Sequence, residues 1–268
     1  MLIDTHIHIG DKLESKRNLE TSKFKNVYRL YACLDPDVID NTEDFVKRLD
    51  YFFAIPIVFC ETDIPKANNY VLKYSQNNSG AVPVFLIDEN KNFEEFVSQT
   101  RFNIFKEHFS LHNCEDVLKR SSAYDYISQN DGYLLLHTFS DKTYSYVKYL
   151  RKEFPNMKII VAHLGRDSFG TYDYTKNMID MLSVDEKIYT DISTIKNPNL
   201  IQYAIKKYGS ERVLFGSDFP YEASMQTKLD DYLNLVSEAN LTSSQHDDLF
   251  YNSAMNIIQD AKVLRKSR

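Results

Sequence analysis

The sequence predicts an α/β fold, a single closed (β/α)8 barrel. Three observations lead there. Short runs rich in β-branched and aromatic residues alternate with longer segments of helical periodicity, the pattern of repeated βα units around a parallel sheet. The runs number eight, and their near-equal spacing favours closure over an open doubly wound sheet, which shares the local pattern. Finally, 268 residues with 43% hydrophobic content suffice for one large core, a common size for one barrel domain.

In chain order the predicted strands are LIDTHIH (2–8), FFAIPIVFC (52–60), AVPVFLID (81–88), FNIFKEHF (102–109), YLLLHTF (133–139), KIIVAHL (158–164), KIYTDIS (187–193) and RVLFGSD (212–218). Helical segments lie between them, among them IPKANNYVLKYSQ, NFEEFVSQTR, CEDVLKRSSAYDYISQN, DKTYSYVKYLRKEF and NPNLIQYAIKKYG. Several begin with Asp or Asn, whose short side chains accept from free N–H groups of a first turn, and the last stops at Gly209. The stretch of about 9–50 is longer than a βα connection needs and reads as an insertion, with VYRLYACL as an extra strand or buried helix. Further helices follow the eighth strand over about 224–262. With no low-complexity linker and no fixed-period repeat, the expectation is one TIM-barrel domain over 1–268.

Composition excludes several roles. A net charge of −6 speaks against nucleic-acid binding, which rests on a basic surface; the basic tail KVLRKSR reads as a solvated helix end. No run approaches the roughly 18 apolar residues of a membrane span, and the opening residues read as a strand rather than a leader. Cys33, Cys60 and Cys114 are far apart and odd in number, which points away from disulfides and toward a reducing, cytoplasmic compartment. The expected partner is a small-molecule substrate; homo-oligomerisation stays open.

Histidines mark the chemistry. His6 and His8 are two residues apart in one strand, so both imidazoles share a face. In such barrels the reactive groups stand at the C-terminal strand ends. His6 and His8 end strand one, His108 strand four, His137 strand five and His163 strand six; Asp218 closes strand eight, and only His112 and His246 fall elsewhere. Alternation places Leu135 with His137, Ile159 and Val161 with His163, Leu214 and Gly216 with Asp218, and Ile104 with Lys106 and His108. Neutral imidazoles with a carboxylate suit Zn2+ with a position left open, a catalytic rather than a structural set.

The segments DTHIHIG, FKEHF, LLLHTF, IVAHLGR and VLFGSDFP, in that order, resemble the amidohydrolase superfamily, in particular the branch of aminocarboxymuconate semialdehyde decarboxylase and related metal-dependent hydrolases. FYNSAMNII is similar to the closing helix of that branch, so the likeness spans nearly the whole chain. It implies that His6, His8, His137 and Asp218 bind metal, that His163 is the catalytic histidine beside a metal-activated water, and that Asp218 is ligand and general base together. The implied cofactor is one divalent ion, Zn2+ by preference. Two ions are the alternative, with a carboxylated Lys106 bridging them and His137 and His163 holding the second; an uncarboxylated Lys106 would instead neutralise an anionic substrate.

Other residues carry two readings each. Arg166 can clamp a substrate carboxylate bidentately, or cap a helix or pair with Asp167. His108 can reach a substrate oxygen or stand behind the ligands. Glu61 and Asp63 sit at a strand end, yet ETD is ordinary cap chemistry. Tyr172, Tyr174 and Tyr221 lie in loops where they can line a pocket for a planar substrate. The expected activity is hydrolysis of an amide, ester or lactone in a small organic molecule; nonoxidative decarboxylation of a small carboxylic acid is the alternative.

Overall fold

A computed structural model describes residues 1–11, 17, 20–21, 42–59, 62–88, 98–99, 101–108, 121–137, 142–221 and 228–262. VYRLYACL, the three cysteines, Glu61, His112, most of NFEEFVSQTR and nearly all of the basic tail lie outside the described residues. The strands are β1 (Ile3–Ile9), β2 (Tyr51–Pro56), β3 (Ala81–Pro83), β4 (Phe85–Leu86), β5 (Ile104–His108), β6 (Tyr133–His137), β7 (Lys158–Val161), β8 (Ile188–Asp191) and β9 (Val213–Leu214). All pairings are parallel, in the orders β1-β2-β3 and β4-β5-β6-β7-β8-β9. Together they form a (β/α)8 barrel.

Two junctions complete the ring. β3 and β4 are one stave interrupted at Val84, whose N–H bonds back to Ala54 O at 3.0 Å. At the other junction β1 meets the chain just past β9. Thr5 N–H donates to Phe215 O at 2.9 Å, His8 N–H to Phe219 O at 2.6 Å, and Ile7 pairs with Phe219 in parallel. The first and last staves are therefore hydrogen-bonded to each other, which an open sheet would not show.

The helices are α1 (Thr42–Val46), α2 (Ile64–Asn77), α3 (Ser121–Gln129), α4 (Thr143–Glu153), α5 (Tyr172–Leu182), α6 (Pro198–Tyr208), α7 (Lys228–Ser237), α8 (Ser243–Asp247) and α9 (Ser253–Asp260). Their boundaries follow local chemistry. Asp63 accepts from Lys66 N–H at the start of α2, the cap reading of that residue. Asn197 caps α6 and Gly209, at φ 85°, ends it where a side chain would be strained. No helix among the described residues is long and apolar enough to cross a membrane.

Two apolar layers result. Inside the ring Ile3, Phe53, Ile55, Val82, Ile104, Leu135, Ile160 and Leu214 pack together, and α9 closes the end opposite the histidines with Ala254, Ile257, Ile258 and Ala261. Outside it Ile7, Ala54, Phe105, Leu136, Ile159, Val161 and Phe215 pack against the helices. This corrects the alternation expected for strand six: Ile160 and Ala162 face inward, whereas Ile159 and Val161 face the helices. His163 reaches the interior because β7 stops at Val161 and the chain turns left-handed at His163 (φ 59°) and Leu164 (φ 54°). In β1 a register shift between Asp4 and Ile7 lets both Ile3 and the pair His6 and His8 point inward.

Gly216 is the tightest point of the seam. A Cβ there would stand 2.9 Å from His6 Cβ and 3.4 Å from Asp191 Cβ. Gly216→Ala is expected to destabilise the protein by about 1–3 kcal/mol through overpacking against backbone-anchored atoms. Urea unfolding of the variant beside wild type measures it.

Candidate metal centre

The buried end of β1 supplies two imidazoles whose proton positions follow from their partners. His8 Nδ1 lies 2.8 Å from Pro56 O, which only accepts, so Nδ1 carries the proton and Nε2 carries the lone pair. His6 Nδ1 lies 2.9 Å from Asp191 Oδ2, with the same consequence. The two Nε2 atoms converge on Asp218 Oδ1, at 3.4 Å from His6 and 3.3 Å from His8. Among the described residues, two sets bring ligand atoms within 4.8 Å of one another: His6, His8 and Asp218, and His6, His163 and Asp191.

His137 and His163 form the adjoining wall. His137 Nδ1 is 3.0 Å from His163 Nε2, and the rings meet edge to face. His108 stacks flat on His137 with centroids 3.9 Å apart. His163 Nδ1 lies 2.7 Å from Ser193 Oγ and 3.2 Å from Ser193 O, and its ring stacks on His6. Lys106 is fully enclosed and its Nζ lies 2.9 Å from His6 Nε2. Tyr221 presents its ring edge to His8 at 4.7 Å, while its hydroxyl lies 3.3 Å from both the N and the O of Val58. Tyr172 and Tyr174, by contrast, stand in the first turn of α5.

Arg166 is buried. Its Nε donates to Thr194 Oγ1 at 2.7 Å and Nη1 to Asp167 O at 3.3 Å. The Asp167 carboxylate instead accepts from Thr171 N–H and Oγ1–H at 2.8 and 2.6 Å. So the guanidinium is tied to the turn after β8.

The end of β8 and the turn after it hold the residues sequence reasoning missed. Asp191, fully buried, accepts from His6 with one oxygen; with the other it accepts from the backbone N–H groups of His163 and Ser193, each at 3.0 Å, and from Ser193 Oγ–H. Thr194 N–H donates to the buried Tyr232 hydroxyl. A signal was present: Asp191 and Ser193 end strand seven in KIYTDIS, at the same barrel end as the histidines.

Burial dominates the electrostatics. It lowers His8 to about 4 against the opposing pull of Asp218, lowers His163 to about 3, and takes His137 well below the usual imidazole range. Burial would raise Asp191 and Asp218, yet the imidazoles against them hold both carboxyls below the usual range. Lys106 is lowered to about 8 by burial, partly offset by Asp218 and Asp191. At neutral pH, His8, His137 and His163 are thus neutral nitrogen donors beside the anionic oxygens of Asp191 and Asp218. Such a donor set fits a divalent cation of the zinc type.

The amidohydrolase family profile matches residues 134–257, from inside β6 to α9, which includes His137, His163, Asp191 and Asp218. This stretch of the chain is thus similar to the amidohydrolase family of enzymes. Its fold is similar to that of a putative 2-pyrone-4,6-dicarboxylic acid hydrolase from Pseudomonas putida, at 15% identity and a TM-score of 0.72 over 97% of each chain. An amidohydrolase from Burkholderia multivorans with bound zinc superposes with a TM-score of 0.73 at 13% identity, over 97% of this chain and 99% of that one. The 5-carboxyvanillate decarboxylase from Sphingomonas paucimobilis gives 0.70 at 13% identity, over 96% and 98%. No curated protein matches by sequence.

The histidine pKa values set a pH dependence for the metal-free protein. His8, His163 and His137 ionise near 6.5 when unfolded and well below that when folded, so unfolding takes up protons as pH falls. Their contribution is present above about pH 6.5 and is lost progressively as pH falls through the folded values. The expected result is a falling Tm of chelator-treated protein between pH 6.5 and 4; a flat profile across that window would contradict neutral buried imidazoles.

Proposed function

We propose that the protein is a metal-dependent hydrolase of a small organic molecule, acting on an amide, ester or lactone carbonyl. The observation that carries this reading is the convergence of His6 Nε2 and His8 Nε2 on Asp218 Oδ1, with both Nδ1 protons engaged on the far sides. His6, His8, Asp218 and, by the family likeness, His137 hold one divalent ion, Zn2+ by preference. When bound, the ion supplies Lewis acidity and lowers the pKa of a water toward neutrality.

The chain's own groups do the rest. Asp218, anionic and enclosed, takes the proton of the attacking water on its carboxylate and returns it to the leaving group. His163 stacks on His6 at the same wall; its Nε2 must leave His137 and take up a proton before the ring stabilises developing charge on the carbonyl oxygen. Arg166, fixed by Thr194 and Asp167 O, orients an acidic substituent of the substrate. Lys106 competes for the His6 lone pair, since one nitrogen cannot both accept from an ammonium and bind a cation. Its ammonium must therefore leave His6 when the ion enters. The same solvent-shielded ammonium fits an anionic substrate group, and so favours one ion over a carboxylated bridge between two.

Decarboxylation is the second reading, because the similar folds include a decarboxylase as well as a putative hydrolase. The compartment proposed is the cytoplasm. Screening carboxylated lactones and aromatic acids in 18O-water separates the two activities: a hydrolase places solvent oxygen in the product, a decarboxylase releases carbon dioxide without doing so. With a substrate in hand, His6→Ala and His8→Ala should lose metal and activity together. His163→Ala should keep stoichiometric metal at saturating zinc and lose about 100- to 10,000-fold in kcat. Elemental analysis beside turnover checks this, and metal loss in His163→Ala would refute the division of roles. Arg166→Lys should raise KM for carboxylated substrates more than for neutral ones; equal effects would reject the clamp.

A further inference from the structure

The turn after β8 controls where protons sit on the histidines. Ser193 O only accepts, and it lies 3.2 Å from His163 Nδ1, so that nitrogen carries the proton. Ser193 Oγ, 2.7 Å away, accepts from it as well, because its own proton goes to Asp191. The other nitrogen of His163 is then an acceptor. His137 Nδ1, 3.0 Å from it, must donate, which leaves the His137 lone pair on Nε2. Asp191 Oδ2 fixes His6 in the same sense.

We infer that Asp191 and Ser193 are positioning residues whose hydrogen bonds set His6, His163 and His137 as Nδ1–H tautomers, so that His6 and His137 present Nε2 to the metal. His8 is set separately, by Pro56 O. The turn that performs this is itself held by the site: the N–H of His163 donates to Asp191 Oδ1, so the left-handed bend that brings His163 inward and the proton on His6 depend on one carboxylate. Carboxylates in this outer position orient ligand imidazoles, and their loss typically costs 10–100-fold in metal affinity.

The isosteric change Asp191→Asn gives a directional test. Two backbone N–H groups, of His163 and Ser193, point at Oδ1 and cannot turn away. The amide oxygen must therefore occupy the Oδ1 position, and the NH2 group faces His6 Nδ1. A donor there drives the His6 proton to Nε2, where Asp218 at 3.4 Å accepts it and from which the Lys106 ammonium, 2.9 Å away, must withdraw. His163 and His137 should keep their tautomers, because Ser193 still accepts.

The measurement is long-range 1H–15N correlation on the full-length, 15N-histidine-labelled protein, freed of metal by chelation and held near pH 8. In wild type, His6, His8, His137 and His163 are expected as Nδ1–H tautomers. In Asp191→Asn only His6 should switch. An Nε2–H form of His6, His137 or His163 in wild type would overturn the proposal without any variant, and so would an unswitched His6 in Asp191→Asn. The functional consequence rests on the ligand reading given above and is measured apart from it, by zinc competition with a chromogenic chelator. A 10- to 100-fold weaker zinc affinity in Asp191→Asn is expected. A His6 switch with unchanged zinc affinity would support the tautomer assignment and refute His6 as a ligand.

Discussion

The seam between the first and last staves is the constraint on which the site depends. Thr5 N–H bonds to Phe215 O and His8 N–H to Phe219 O, and these bonds bring residues more than two hundred positions apart to within ligand distance. Without that pairing His6 and His8 would lie at one edge of an open sheet and Asp218 at the other. Gly216 permits the approach, since a side chain there would collide with His6.

Enclosing so much polarity needs compensation. An isolated buried carboxylate is costly, and a fully enclosed ammonium equally so. Here each charge answers another group: Asp191 is met by two backbone N–H groups, Ser193 and His6, while Lys106 donates to His6 and feels both carboxylates. His8, His137 and His163 remain neutral because burial penalises their charged forms more than the nearby anions favour them. Neutral nitrogen beside anionic oxygen is the chemistry a divalent cation requires.

Backbone strain is concentrated at the same end. His163, Thr194 and Asp218 adopt φ of 59°, 60° and 57°, a region that costs a side-chain-bearing residue about 1–2 kcal/mol. Each is anchored nearby: His163 N–H to Asp191, Thr194 N–H to Tyr232, and Asp218 O from Tyr221 N–H at 2.8 Å. The bend at His163 turns its side chain inward, which the alternation of Ile159 and Val161 would not do. The site is therefore carried by departures from strand geometry, held in place by the polar groups it contains.

By itself the sequence determined the eight staves, their parallel order and the barrel end that carries His6, His8, His108, His137, His163 and Asp218. Those features follow from local periodicity and chain order, which adjacent residues encode. It also marked the Asp63 cap and the Gly209 stop, because capping is a matter of one turn. Tertiary structure decided what adjacent residues do not encode. The inward turn of His163 contradicts the alternation of Ile159 and Val161, because a left-handed bend replaces the last residues of the strand. The strand-end position of Asp191 and Ser193 was legible, but their central place was not, since nothing in KIYTDIS sets them apart until the fold brings them against His6 and His163. Which nitrogen each imidazole offers depends on acceptors from other strands, Pro56 O, Asp191 and Ser193, and such contacts exist only once the ring has closed.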